Sequence, residues 1–317
     1  MALYLNEAEV GKLLTMDLAL EAVEAAHRAH AVGRAIDTPR QRTRTPASTL
    51  HILQGALLDE GVIGYKAYTT SREANRFLVH LFDAADGRSL AVLAADALGM
   101  MRTGAAGGLA ARCLARPESA VAGVFGAGWQ AQSQIAALCR VRPIERVKLY
   151  CRDEERRRAA SADFSRRFGV EVIPAASAKE AVRGSDIVVT ITSSSRPVFD
   201  GDWLEEGAHV TAAGSNSLIR HEIDEKTVRR AGVVCVDGRA TALREAGDLL
   251  PSLEKGRLQE GQLVELGEVL TGARSGRTDP RQITLFESQG MAIQDLALAV
   301  RLVALARQNG LGSELPY

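Results

Sequence analysis

The stretch VAGVFGAGWQAQSQ, residues 121–134, decides the fold of this 317-residue chain. Its first five residues form an apolar run short enough for a buried strand, and good helix formers continue from Trp129 through Leu138. Between them stand Gly126, Ala127 and Gly128, with Ala131 three residues on. Strand, Gly-x-Gly-x-x-Ala, helix has a physical reason in each part. Gly126 can take dihedrals that a Cβ forbids, Gly128 lets the backbone approach a pyrophosphate, and Ala131 lets the helix lie close on the strand. The free N–H groups of the helix start then face the phosphates of a dinucleotide. A glycine turn alone would say little; the flanking strand and helix give it meaning.

Toward the C-terminus, residues 146–150 read as a second strand and 153–168 as its helix, with Asp153 as N-cap. The residue closing that strand sets the cofactor: an acid accepts the ribose hydroxyl of NAD, an arginine suits the extra phosphate of NADP. In LYCRDEERRR the strand closes on Cys151, then Arg152, with Arg156 and Arg157 a helical turn on. NADP(H) is therefore favoured and NAD(H) possible, the alternative being a helix with a merely solvated basic face. Strands at 170–173, 186–192, 209–213 and 233–237 alternate with helices at 178–182, 222–231 and 240–245. TSSSRP is a loop at a strand end, where ligands of such sheets bind, and the 209–213 strand opens into GSNS. Residues 249–278 read as irregular connection with a short helix, and 283–286 as the last strand. The alternation predicts a parallel sheet with helices on both faces.

Toward the N-terminus the period changes. Thr15 caps a helix over 16–32 that ends at Gly33, with Leu20, Val23, His27 and His30 on one face. Those histidines read as packing or hydrogen-bonding at a helix surface, so no metal site is expected. In TPRQRTRTP, Arg40, Arg42 and Arg44 alternate and would share one face of a strand. They are either charges guarding a solvated edge or an anion site, since arginine forks grip carboxylates. Runs at 48–53, 62–69, 77–82 and 89–94, the last pair joined by Asp86-Gly87, predict a mostly antiparallel meander. Lys66, within GYKAYTT, has apolar neighbours: it snorkels at an edge, or is a partly buried cation of lowered pKa that holds a carboxylate or acts as an acid. Arg102-Thr103 leads into a small-residue helix, GAAGGLAARCLA, and residues 290–308 form an amphipathic helix able to pack back on the N-terminal domain.

The net charge of zero gives no reason to expect nucleic acid or an anionic membrane as partner, and 4 % aromatics supply no stacking platform. Cys113, Cys139, Cys151 and Cys235 are scattered without a C-x-x-C pair, which argues against a disulfide framework and for a reducing compartment. The start, MALYLNEAEVGKLL, carries acids and no long apolar core, so it is not read as a signal peptide; MAIQDLALAVRLVALA is broken by Asp295 and Arg301 and is too charged to span a bilayer. A cytoplasmic protein is expected.

From about Pro39 onward the chain resembles the ornithine cyclodeaminase and mu-crystallin family, through PRQR, GYKAYT, LFDAADGRSLAVL, MRTGAA, GAGWQAQ, DIVVTIT, AAGSN with HEID, AGDL, and ITLFESQGMAIQD in the same order. The resemblance implies a Rossmann-type doubly wound parallel sheet (113–289) inserted in an α+β substrate-binding and dimerisation domain with a mostly antiparallel sheet (1–112, completed by 290–317), and a homodimer formed by those sheets. By position, the carboxylate of a small amino, imino or keto acid would be clamped by Arg42, Lys66 and Arg102, with Arg40 the alternative to Arg42. Lys66 would also donate a proton or polarise an imine. Cofactor contacts would fall on Thr103, Gly126, Ala127, Gly128, Trp129, Gln130, Arg152, Thr190, Thr192, Ser193, Gly214, Ser288 and Gly290. Two departures bear on the chemistry. The family's cyclodeaminases and alanine dehydrogenases carry an Asp where this chain has Asn216, and an amide cannot take a proton from an amine or water. The acid that cyclodeaminases place before a Met-Pro step is also missing, with His51 standing nearest. Three readings follow: a reductase of an imine or 2-keto acid (or reverse amino-acid dehydrogenase) in which Asn216 hydrogen-bonds the substrate nitrogen, an ornithine cyclodeaminase, and a cofactor-dependent small-molecule binding protein.

Overall fold

The computed structural model describes residues 1–316, and the chain divides into two units: residues 1–102 with the C-terminal residues from 291, and residues 103–290. The division falls between Arg102 and Thr103, where the sequence reading puts it after residue 112. Among the described residues no helix is long and apolar enough to cross a membrane.

The first unit begins with β1 (Ala2–Leu5), α1 (Glu7–Leu13) and α2 (Met16–Ala31), then β2 (Ala35–Arg44), β3 (Ser48–Leu57), β4 (Val62–Ser71), β5 (Asn75–Asp83) and β6 (Ser89–Ala94); α3 (Asp96–Leu114) follows. Thr15 caps α2 through a bond from the Leu18 N–H, and Asn6 and Glu9 form a reciprocal capping box on α1. Strands β2 to β6 form the expected antiparallel meander; β1 joins β6 in parallel, and the final strand, Ser313–Leu315, closes the edge antiparallel to β1. Side chains alternate across the sheet, so the row Leu53, Lys66, Val79, Leu93 faces one side. The C-terminal helix Ala292–Gln308 covers that side. Two strand glycines permit its close approach: a Cβ on Gly64 would lie 2.4 Å from the His80 carbonyl and 3.0 Å from Leu296, and one on Gly55 would lie 3.2 Å from Ile293. On the opposite side, among the described residues, Leu50 (38 %), Ile63 (48 %) and Leu78 (38 %) stand exposed.

The second unit follows its glycine turn. It contains β7 (Val121–Phe125), α4 (Trp129–Val141), β8 (Arg146–Tyr150), α5 (Glu154–Phe168), β9 (Glu171–Pro174), β10 (Ile187–Thr190), β11 (His209–Ala212), β12 (Ala231–Val236), β13 (Leu263–Glu265) and β14 (Ile283–Glu287). The eight strands are all parallel, in the order β13-β12-β14-β11-β10-β7-β8-β9. One apolar core packs around Val188, Val210 and Val234, another around Ala122, Val147 and Val189. Asp153 caps α5 as expected, its carboxylate accepting the Arg156 N–H.

Three expectations are corrected. Residues 222–231 are not one helix: only Glu225–Arg230 coil, because Asp224 takes the N-cap and Glu222 is held outside by its own buried bonds. The run at 283–286 is the last strand of the parallel sheet in chain order but not of the chain, since the short strand Ser313–Leu315 follows it in the first unit. The stretch 249–278 contains the edge strand β13, whose three residues are too few to show alternation.

Candidate active site

Within the first unit, four charged side chains meet under the C-terminal helix. Arg40 (7 % exposed), Lys66 (3 %), Arg102 (7 %) and Asp295 (0 %) come from β2, β4, α3 and that helix. Asp295 Oδ1 accepts from Lys66 Nζ at 2.9 Å and from Arg102 Nε at 3.2 Å. Arg102 Nη1 also donates to Gln294 Oε1 at 2.7 Å, and the Gln294 amide donates to His27 Nε2 at 3.0 Å, so that ring nitrogen carries no proton. Burial, then the Arg102 charge, push the Lys66 ammonium down to about 8; the Asp295 charge and hydrogen bond oppose them, and Arg40 adds to the depression.

The three alternating arginines are treated unequally by the fold. The β2–β3 register slips between Thr38 and Gln41, where Pro39 can offer no ladder N–H, and Arg40 is buried beside this bulge. Arg42 pairs with His51 one row on and is half-buried, while Arg44 is exposed. Thus Arg40 acts on Lys66, whereas Arg42 is the largest of the three arginine charges acting on His51. Burial first, then Arg42, Arg40 and Arg44, push that imidazole down to about 4, so His51 is neutral at ordinary pH. It stacks on Tyr68 at 4.2 Å and bonds Thr70 through Nε2.

Within the second unit, a groove of about 1010 Å³ opens at the C-terminal ends of β7, β8 and β10, where the strand order reverses. Gly126, Ala127, Gly128, Arg152, Thr192 and Ser193 line it, together with Arg156, Asp153 and the loop Ser194–Val198 that includes Arg196. Gly126 needs its glycine: φ is +114°, and a Cβ would lie 2.5 Å from the Ile191 carbonyl. Arg157 turns inward instead, donating to the Cys151 carbonyl at 2.7 Å with its guanidinium over Tyr150. Thr103, Trp129, Gln130, Thr190, Gly214, Asn216, Ser288 and Gly290 do not line this groove.

Several of those residues are instead fastened by buried acids at the ends of the central strands. Glu222 accepts from Thr190 Oγ1 (3.1 Å), Thr192 N (2.5 Å) and Gly214 N (2.6 Å); Asp248 accepts from the backbone of Glu222 and Ile223; Asp237 accepts from Ser288 Oγ (2.9 Å) and Gly290 N (2.6 Å). Asn216 is half-buried in the loop between Gly214 and Glu222. Burial raises Glu222 to about 7 against its three donors, and burial beside Asp248, Glu222 and Asp237 raises Glu287 well above the carboxylate range.

Sequence reasoning missed Asp295, Gln294, His27 as a partner, and Arg196. The signal for the first two was present: Gln294-Asp295 interrupts an otherwise apolar helix face, and a buried charge requires a partner.

The family model for the ornithine cyclodeaminase/mu-crystallin family matches residues 2–308. The chain belongs to that family. It is similar to the Δ1-pyrroline-2-carboxylate reductase of Thermococcus litoralis, solved with NADH and L-proline, at 31 % identity and a TM-score of 0.94 over 99 % of this chain and 100 % of that one. It is also similar to an archaeal alanine dehydrogenase dimer with bound NAD, at 33 % identity and 0.92 over 100 % and 99 %. An iminosuccinate reductase of Paracoccus denitrificans in complex with NAD+ matches at 28 % identity and 0.93, again over 100 % and 99 %.

Glu222 titrates near 7 when folded and near 4.5 when unfolded, so the native state holds the extra proton and stability falls as pH rises across that window, by roughly 3 kcal/mol. Urea unfolding at pH 4.5 and 7.5 should show a smaller fall for Glu222→Gln than for the wild type; equal falls would refute the assignment.

Proposed function

We propose that the protein is an NAD(P)H-dependent reductase of a small 2-imino or 2-oxo acid, working in reverse as an amino-acid dehydrogenase. One observation carries the reading: two buried cations, Lys66 and Arg102, divide a single carboxylate oxygen of Asp295, leaving positive charge that a substrate carboxylate would complete. Arg40, through its fork, is the third member of the clamp in place of Arg42. The likeness to a pyrroline-2-carboxylate reductase, an iminosuccinate reductase and an alanine dehydrogenase supports the same class of chemistry.

The residues present fit a dinucleotide. Gly126 makes the turn that a Cβ would block, and Gly128 leaves the start of α4 open toward the groove. When bound, the nicotinamide supplies a hydride to the substrate carbon. Arg40 and Arg102 hold the carboxylate, fixing that carbon. Lys66, an ammonium ion below about pH 8, gives its proton to the imine nitrogen. Asn216 hydrogen-bonds that nitrogen without taking a proton. Arg152 and Arg156, both lining the groove, support NADP(H) over NAD(H), since Asp153 is already engaged as a helix cap. The exposed apolar side of the first unit's sheet, around Leu50, Ile63 and Leu78, is read as the face taken by a second copy; one of the similar structures is a dimer.

Three outcomes are expected. With NAD(P)H and a cyclic imino acid or a 2-oxo acid plus ammonia, cofactor absorbance falls, and Lys66→Met lowers kcat/KM at least a hundredfold while cofactor binding persists; formation of proline and ammonia from ornithine with no net cofactor consumption would overturn the reading in favour of a cyclodeaminase. Arg152→Ala with Arg156→Ala weakens NADPH binding about tenfold, a loss of roughly 1.4 kcal/mol, and leaves NADH binding unchanged by calorimetry; equal effects on both would discard the preference. Light scattering gives a dimer for the wild type and a monomer for Ile63→Glu, and a wild-type monomer would contradict the assigned face.

A further inference from the structure

The reductase reading assigns Lys66 a proton to deliver, and the groups around it mostly work against its keeping one. Arg102 approaches from α3 and Arg40 from β2, both cationic, and the side chain is fully buried. The rings of Tyr68 and Phe77, at 5.9 and 6.0 Å from Nζ, favour a cation only weakly. Asp295, on the C-terminal helix, supplies the negative charge that opposes burial and the two arginines. It is in the first turn of that helix, where the free N–H groups also favour negative charge. Its Oδ1 holds Lys66 and Arg102 together, and its Oδ2 is buried with no hydrogen-bond partner among the described residues, so within them the carboxylate is committed to these two cations.

We infer, on the basis of the reductase reading, that Asp295 is a positioning residue: its charge keeps Lys66 an ammonium ion, and its Oδ1 fixes Lys66 beside Arg102, so that grip on the substrate carboxylate and proton delivery to the substrate nitrogen come from one arrangement. In the step itself an N–H bond of Lys66 breaks and an N–H bond of the substrate forms on the π pair that leaves the C=N bond for nitrogen, while the substrate carbon would take the hydride released when a C–H bond of the reduced nicotinamide breaks and that ring is oxidised. Lys66 is left neutral and regains its proton from solvent, a return that Asp295 favours. Arg102 has a second anchor in Gln294, itself tied to the Met291 N–H and His27, so removing the Asp295 charge leaves Arg102 in place and isolates the effect on Lys66.

Asp295→Asn keeps the volume and one accepting oxygen and deletes the charge. The chain has six lysines, so 13Cε-lysine NMR of the cofactor-saturated protein resolves Lys66, assigned by loss of its signal in Lys66→Arg. The wild-type signal should titrate near 8, and that of Asp295→Asn at least one unit lower. The alkaline limb of kcat/KM against pH should move with it: a loss of about tenfold at pH 9 that vanishes at pH 6. Asp295→Glu, which keeps the charge, should hold the wild-type midpoint and serves if the first variant does not fold. An unmoved Lys66 midpoint in folded Asp295→Asn, or a loss of kcat/KM by the same factor at every pH, overturns the inference. A shifted midpoint in a protein that reduces no imino acid counts against the reductase reading and leaves the charge coupling standing.

Discussion

One carboxylate oxygen shared between two buried cations is the constraint on which the first unit's arrangement depends. Asp295 Oδ1 ties β4 and α3 to the C-terminal helix through Lys66 and Arg102, three segments far apart in the chain. Burying any of these charges alone would be unfavourable by several kcal/mol, so they must be buried together. The rest of the first unit makes this possible. Gly55 and Gly64 let the helix lie against the sheet, and the row Leu53, Lys66, Val79, Leu93 turns Lys66 under it. A structural cluster would be complete with matched charge. Here Lys66 and Arg102 share one oxygen of a single carboxylate.

Buried acids organise the second unit in a different way. Glu222 and Asp237 accept backbone N–H groups from the strand-end loops, and Asp248 holds the segment that carries Glu222. Loop backbone at the end of a parallel sheet has no ladder partner, and a carboxylate with two oxygens can satisfy several donors at once. The consequence is a set of loops held by side chains, with raised carboxyl pKa values at Glu222 and Glu287 as the cost of burial. The groove at the ends of β7, β8 and β10 needs less machinery: a positive-φ glycine, a helix start, and arginines in its lining.

Much of the fold was legible because it follows from local period. The strand Val121–Phe125, the glycine turn, the Asp153 cap, the strand Arg146–Tyr150 and the antiparallel meander all lie where alternation, capping and turn residues put them. The errors fall where locality fails. Residues 222–224 look helical by composition, but Glu222 is drawn out of the helix by Thr192, Gly214 and Asp248. The strand β13 is too short to announce itself. Arg40, Arg42 and Arg44 alternate identically in sequence, and only the bulge at Pro39 and the depth of the sheet separate a buried arginine from an exposed one.

The sequence by itself determined the two kinds of sheet, the glycine turn and the list of cations, because each rests on neighbours a few residues apart. It also showed Asp295, though only as a charge interrupting an apolar run. The tertiary structure alone decided that Asp295 is the partner of Lys66 and Arg102, that Arg40 rather than Arg42 lies beside them, and that the strand-end loops hang on buried acids. The physical reason is range. Helices and turns are set by contacts along the chain, whereas a buried charge is stabilised by whichever opposite charge the packing brings to it, in this case one 229 residues away.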